Sequence, residues 1–218
     1  MNGLLVVWES RDVFLWGAAN TVSLVLGCLL FSIPLGILGA VVLTEAPVPL
    51  RRLLAELVDL LRCVPFLLLA YVVYYGLPEL GLRLDSWWAG LVSLTIYTTA
   101  YLAEIFRSAF RAVARDNIEA AHAFGLSRSL LYRRIILPQV AIMAAPMIGN
   151  QVITTIRDSA LLMIITVQEL TFSANFVSAA HFTPFAPFAA AVGLYLLMSF
   201  VVEAGVRRME RVRTVRYG

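Results

Sequence analysis

Val13-Phe-Leu-Trp-Gly-Ala-Ala-Asn20-Thr-Val-Ser-Leu-Val-Leu-Gly-Cys28-Leu-Leu-Phe-Ser-Ile-Pro34-Leu-Gly36-Ile-Leu-Gly-Ala-Val-Val-Leu-Thr44 carries no charged side chain over its whole length. The hydrocarbon core of a bilayer takes about 20 apolar residues of helix. This run is therefore a membrane helix with residues to spare, long enough to tilt or protrude. Pro34 and Gly36 are its expected bend points. A transmembrane barrel is excluded, because barrel strands alternate apolar and polar positions over about ten residues.

Working outward, the rest of the chain repeats the signal. Of 218 residues, 61% are hydrophobic and 14% charged, with a mean hydropathy of +0.84. A soluble chain this apolar could not cover its surface with polar groups. Four further apolar segments qualify, at about 53–77, 87–110, 138–167 and 185–206. The expected fold is an all-α membrane protein of about five transmembrane helices, a single domain over residues 1–218. No linker, low-complexity tract or tandem repeat interrupts it. Pro47 with Pro49, and residues 78–85, are ordinary connections. The longer stretch 169–184 is small, apolar and free of arginine, and is expected to pack at the outer membrane face.

Arginine alone supplies all 17 basic residues, and its distribution sets the expected orientation. Arg51 and Arg52 follow the first helix. Arg107, Arg111, Arg115, Arg128, Arg133 and Arg134 follow the third, and Arg207, Arg208, Arg211, Arg213 and Arg216 lie in the tail. The opposite side has only Arg11 and Arg83. The N-terminus is thus expected outside and the C-terminus in the cytoplasm. Without a lysine there is no P-loop, so ATP is not expected to bind this chain by the usual cradle. Cys28 and Cys63 both fall in apolar runs and read as small buried hydrophobes. The opening residues lack a basic n-region, so no removable signal peptide is expected.

On the cytoplasmic side lies a polar insert, Glu119-Ala-Ala-His-Ala-Phe-Gly125-Leu-Ser-Arg-Ser-Leu-Leu-Tyr-Arg-Arg-Ile135-Ile-Leu-Pro138. Asp116 or Asn117 can cap a short helix through His122, and Gly125 can end it in a left-handed turn. Ser127 can cap a second helix through Ile135, and Pro138 suits the first turn of the next membrane helix. The result is a compact elbow over about 116–138. Its alanines permit close approach of another backbone, and Glu119 offers an anion at a helix start.

The spacing Glu119-Ala120-Ala121, Gly125, Ile135 and Leu137-Pro138 resembles the EAA signature of ABC importer permeases at every defining position. The resemblance extends along the chain. Gly17-Ala-Ala-Asn-Thr21 looks like the opening of the polar amino-acid permease family. Arg62-Cys-Val-Pro65, Tyr74-Tyr-Gly-Leu-Pro78, Ala100-Tyr-Leu-Ala-Glu104-Ile-Phe-Arg107 and Arg157-Asp-Ser-Ala-Leu161 are similar to its later helices. The run from Phe182 to Arg208 is most similar to the histidine, arginine, lysine and opine branch. The resemblance implies a type I importer fold in the bacterial inner membrane. It implies a second permease chain, the same or homologous, and two ATPase subunits docked on the elbows. It further implies a periplasmic solute-binding protein and an amino-acid solute. ATP and Mg²⁺ would belong to the ATPases, and no cofactor or metal to this chain. Glu119, Ala120, Ala121, Gly125, Ile135, Leu137 and Pro138 would couple ATP hydrolysis to access.

Ionisable groups at membrane depth are costly and so call for a partner or a function. Asn150, Gln151, Thr154, Thr155, Arg157 and Asp158 span roughly 160° of a helix at 100° per residue. With Glu104, Arg62 and the adjoining Pro65, they are the candidates for lining a solute site at the subunit interface. Asp158 and Glu104 would meet an amino group or cationic side chain, and Arg62 or Arg157 a carboxylate, which a guanidinium can grip with two bonds. The competing reading has these groups neutralising one another, with Glu104 and Arg107 a local pair three residues apart. Three departures from the family pattern bear on the solute: Asp116-Asn117 for Gly-Gln, Cys63-Val64 for Gly-Thr, and Gln151 for glutamate. The last weakens the case for a cationic side chain and keeps neutral amino acids and derivatives open. His122 and His181 read as surface or packing residues, Trp16, Trp87 and Trp88 as interface anchors, and the tail arginines as neighbours of lipid heads. Nothing points to nucleic acid. The rival classes are a passive channel or secondary transporter without an ATPase, and a membrane-embedded enzyme. The latter lacks paired catalytic groups.

Overall fold

A computed structural model of the chain describes residues 3–114, 119, 121 and 123–217, with backbone alone for 128 and 209–217. A short helix α1 (Gly3–Glu9) leads into α2 (Arg11–Glu45). The latter is continuous through Pro34. Gly36 serves packing: a Cβ there would sit 2.7 Å from Leu102 Cβ. The missing side chain lets α2 lie close on α5 (Ser86–Arg111), its most extensive partner. Asp85 starts α5 by accepting from the Trp88 N–H at 2.9 Å, the expected chemistry of an N-cap.

The second expected membrane segment is not one helix. Val64 and Pro65 are both extended, at ψ 132°, and they split it into α3 (Val48–Cys63) and α4 (Phe66–Glu79). A proline lacks the N–H for a helix bond and pushes its predecessor out of the α region. The two halves differ in kind. α4 is a short apolar helix, whereas α3 is amphipathic. Arg51, Arg52, Glu56, Asp59 and Arg62 fall on one face of α3. Leu50, Leu53, Leu57 and Leu60 stand exposed on another. Between them Leu54, Val58 and Leu61 pack on Leu43, Ala100 and Ala103. Among the described residues, four stretches are long and apolar enough to cross a membrane: Arg11–Glu45, Ser86–Arg111, Ser129–Ile165 and Phe185–Arg208. Cys28 is buried as expected, but Cys63, at the exposed end of α3, is not.

In the second half of the elbow, α6 (Arg128–Leu131) passes through a π turn (Tyr132–Ile136) into α7 (Leu137–Ser159) and a 3₁₀ turn (Ala160–Ile165). Thr166 is left-handed at φ 64° and ends this shaft. The arginine-free stretch that follows is largely helical. It is α8 (Leu170–His181), which buries Leu170, Ser173, Ala174 and Val177, the i, i+3, i+4, i+7 rows of one helical face. Gly17 admits it: a Cβ there would lie 2.3 Å from Ser173 Oγ. α8 packs on α2 and on the final helix α9 (Phe185–Tyr217).

Glu169 holds this corner. It is fully buried and accepts from the backbone N–H groups of Thr171 at 2.8 Å and Phe172 at 2.7 Å, and from the Tyr195 hydroxyl. Thr21 Oγ1 accepts from the Leu170 N–H at 3.2 Å, and Asn20 Nδ2 donates to the Gln168 carbonyl at 2.9 Å. Burial pushes the Glu169 carboxyl above its ordinary range, against the lowering effect of those donors.

Candidate functional site

The elbow is held by local chemistry. Glu119, Ala121 and Ala123 are helical. Gly125 is left-handed at φ 71°, and the Leu126 N–H closes on the Ala121 carbonyl at 3.1 Å. That 6→1 bond around a left-handed glycine is the Schellman ending expected from the sequence. Ser127 Oγ accepts from the Leu130 N–H at 3.4 Å. Asp116, Asn117, Ala120 and His122 lie outside the described residues. One face of the elbow is fixed to the bundle: Ala121, Leu131 and Ile136 are buried with Phe106, Ala109 and Val113, and the Tyr132 hydroxyl donates to Glu45 at 2.6 Å. The other face is open. Glu119, Gly125 and Pro138 are exposed, Leu137 is 40% exposed and Phe124 85%; Ile135 is half-buried. Pro138 does not separate the elbow from the membrane helix. The wide turn lets the Leu137 N–H reach Tyr132 O, five residues back, so the helix passes the imino residue without interruption.

The interior site gathers at the α3–α4 break. Arg62, in the last turn of α3, contacts Asp59 at 3.5 Å, and its guanidinium lies 5.3 Å from the centre of the Tyr101 ring. The Tyr101 hydroxyl donates to the Arg62 carbonyl at 3.3 Å and is 3.3 Å from that of Tyr97. Arg62 Nε is buried without a partner. Pro65 fixes the break that ends α3 just beyond Arg62. One turn along α5 from Tyr101, Glu104 is gripped by Arg107 with two bonds, which is the local pair the spacing allowed.

On α7 the expected polar stripe divides. Gln151, Thr155 and Asp158 turn inward. Gln151 is buried with Nε2 unpartnered, Thr155 Oγ1 is 3.3 Å from Thr98 Oγ1 on α5, and half-buried Asp158 lies within electrostatic reach of Tyr97. Asn150, Thr154 and Arg157 are exposed. The structure therefore brings Arg62 toward α5, and Gln151 and Asp158 toward the same helix. It leaves Arg157 outside the cluster and Glu104 already paired. Tyr97 and Tyr101 are members that reasoning from ionisable groups missed. Their i, i+4 spacing, continued at i+7 by Glu104, was the available signal. Phe124 was missed in the same way, since an aromatic in a short polar helix reads as core. His181 is exposed. Among the described residues no group of three metal-ligating side chains occurs.

Comparison with known proteins decides the family. The profile described as the binding-protein-dependent transport system inner membrane component matches residues 32–214. The chain belongs to this family. The permease is 32% identical to a probable glutamine ABC transporter permease protein of Bacillus subtilis, over 94% of its own length and 95% of the relative's. It is 33% identical to an octopine transport system permease protein of Rhizobium meliloti, over 90% and 84% of the two lengths. Its structure matches a solved amino acid ABC transporter with histidines at a TM-score of 0.88 and 25% identity, over 95% of this chain and 97% of that one. The permease is an all-α transport subunit with the type I importer fold, and not an enzyme.

Proposed function

We propose that this permease passes a polar amino acid or amino-acid derivative inward across the bacterial inner membrane, driven by ATPase subunits seated on its elbow. Two permease chains would pair, and a periplasmic binding protein would deliver the solute. The arginine-rich end carrying the elbow faces the cytoplasm, where nucleotide is available. ATP and Mg²⁺ belong to the ATPases.

One observation carries the reading: a single helical shaft joins the exposed elbow to the interior site. From Ser129 to Ile165 the chain is continuously helical, so a push on Phe124 and Glu119, passed across the Gly125 turn through the shared packing of Ala121 and Leu131, reaches the rod that carries Gln151 and Asp158. Type I relatives named for glutamine and octopine support an amino-acid class of solute. Within the site, Arg62 is the group suited to the solute carboxylate and Asp158 to its amino group. The tyrosine pair would flank the carbon skeleton, and Gln151 offers an unpaired amide to a neutral polar side chain.

The test is uptake of labelled L-glutamine into proteoliposomes holding the complete transporter. The expected outcome is uptake that needs both ATP and the binding protein and that stops on ATP depletion. Uptake that survives depletion, in a permease that purifies without an ATPase, would establish a passive or secondary carrier instead.

A further inference from the structure

The polar face of α3 and the second half of α5 run antiparallel, forming a charged track that leads away from the interior site toward the elbow end. It begins where Arg62 covers Tyr101. It continues where Asp59 comes within electrostatic reach of Arg107. It ends at a cavity of about 190 Å³ that Arg51, Arg52, Asp59, Glu104, Arg107 and Arg111 share. From Tyr101 to Arg111 is about 15 Å of helix at 1.5 Å per residue. The cavity could hold roughly six waters' volume, enough for a small solute rather than a single ion. Its floor, at Leu43 and Val58, is aliphatic.

The charges do not balance. Arg107 takes Glu104, and Arg62 takes Asp59 at the far end of the track. Among the described residues, Arg51, Arg52 and Arg111 then have no ion-pair partner. Around this one small cavity four arginines face two carboxylates, Asp59 and Glu104. Although Glu104 also acts on Arg111 at longer range, the guanidinium groups without an ion pair among the described residues repel one another on balance. An oxyanion relieves that repulsion and accepts their charge-assisted bonds. Two sources of such an oxyanion are at hand, a solute carboxylate or a lipid phosphate. The layout favours the solute: the cavity continues the track from Arg62, while the lipid-suited row of exposed leucines lies on the opposite face of α3.

We propose that this cavity is an exit subsite, which takes the carboxylate of an amino acid after it leaves the interior site and before release. The proposal rests on the solute reading above. It adds a second binding position and a preference, because a net-cationic exit favours zwitterionic and anionic solutes over cationic ones. It also predicts feedback, since solute accumulating on the elbow side refills the subsite and slows further transport.

Two arms test it. In the first, the complete transporter in phosphatidylcholine nanodiscs is labelled with the arginine reagent phenylglyoxal, and Arg51, Arg52 and Arg111 are followed by peptide mass spectrometry. Millimolar L-glutamine is expected to protect them, also in the Asp158→Asn variant, and L-glutaminamide, whose carboxylate is blocked, to leave them reactive. No protection by L-glutamine, or equal protection by the amide, overturns the subsite. Protection that appears only when phosphatidylglycerol is added gives the cavity to a lipid and overturns it too. In the second arm, proteoliposome uptake is compared with and without L-glutamine on the elbow side. The R51Q/R52Q/R111Q variant is expected to need about tenfold more trans solute for half-inhibition than the wild type; an unchanged value contradicts the proposal. A wild type that takes up no amino acid instead removes the transport reading, and the labelling arm still decides the cavity by itself.

Discussion

The elbow and the interior site are the two parts to which the proposed function assigns work, and they are built on opposite principles. The elbow is local: its glycine turn, serine cap and buried alanine lie within a few residues of one another, and its useful groups are left exposed. The interior site is assembled from α3, α5 and α7, with partners 39 residues apart at Tyr101–Arg62 and 57 apart at Thr98–Thr155. Most of its groups are partnered across helices, and Arg62 Nε and Gln151 Nε2 are buried without a partner. Within one chain, then, the proposed docking face is an exposed turn outside the long apolar stretches, and the proposed solute site is a set of polar groups brought together between helices.

The comparison is most easily broken at the elbow. Glu119→Lys together with Gly125→Pro should reduce ATP-driven uptake to background, since proline cannot adopt the left-handed φ of 71° at Gly125. Size-exclusion profiles should show an intact bundle; normal uptake by this variant would sink the docking role. Next, Asp158→Asn removes the unpaired carboxylate of the interior and should lower uptake by about 10- to 100-fold, as expected for losing a charge-assisted bond. ATPase binding should be unchanged, and a parallel loss of ATPase binding would mean the two parts are not separable. Phe124→Ala should weaken ATPase association by about 2 kcal/mol, the scale of a buried interface anchor. Pull-down titration against the purified ATPase measures it, and an unaltered affinity would assign Phe124 to lipid or solvent.

The smallest effect concerns the corner behind the site. Because the Glu169 carboxyl is held above its ordinary value of 4.5, the folded state keeps that proton to higher pH than the unfolded chain does. Its stabilising contribution is complete below the ordinary value and is lost as pH rises through the raised one. Glu169→Gln should therefore flatten the fall in thermal midpoint of the detergent-solubilised protein across that window. An identical pH profile in the variant would show that the proton is not held there.

What could be read in advance follows the same division. The elbow was legible because capping and left-handed glycine turns are short-range chemistry, carried by Ser127 and Gly125 themselves. The membrane class was legible from the charge-free run 13–44 alone. The split of residues 53–77 was harder. Hydropathy averages over Pro65, although the polar row from Arg51 to Arg62 at helical spacing was visible and belongs to an amphipathic helix rather than a spanning one. The helical form of α8 was not foreseen, because its small residues such as Ser173 and Ala174 find their place only where Gly17, on a distant helix, leaves room for them. In the interior, the identity of the polar residues was available and the Glu104–Arg107 pair was one of two readings, but the pairings across helices were not legible. Whether Glu104 faces solute or Arg107, and whether Arg157 turns in or out, depends on rotation of α5 and α7 against neighbours far away in sequence.

The π turn at Tyr132–Ile136 sets the phase between the two parts. One extra residue in a turn shifts everything beyond it by about 100° around the axis. With that residue in place, Leu131 and Ile136 can both face the core while Gln151 and Asp158, further along, face α5. Shortening the turn by one residue would leave each part individually well formed but mistimed, like two gears keyed at the wrong angle on one axle. On the proposed reading, the conversion of ATP hydrolysis into directed movement is therefore tied to a count of residues between the exposed face of the elbow and the interior site.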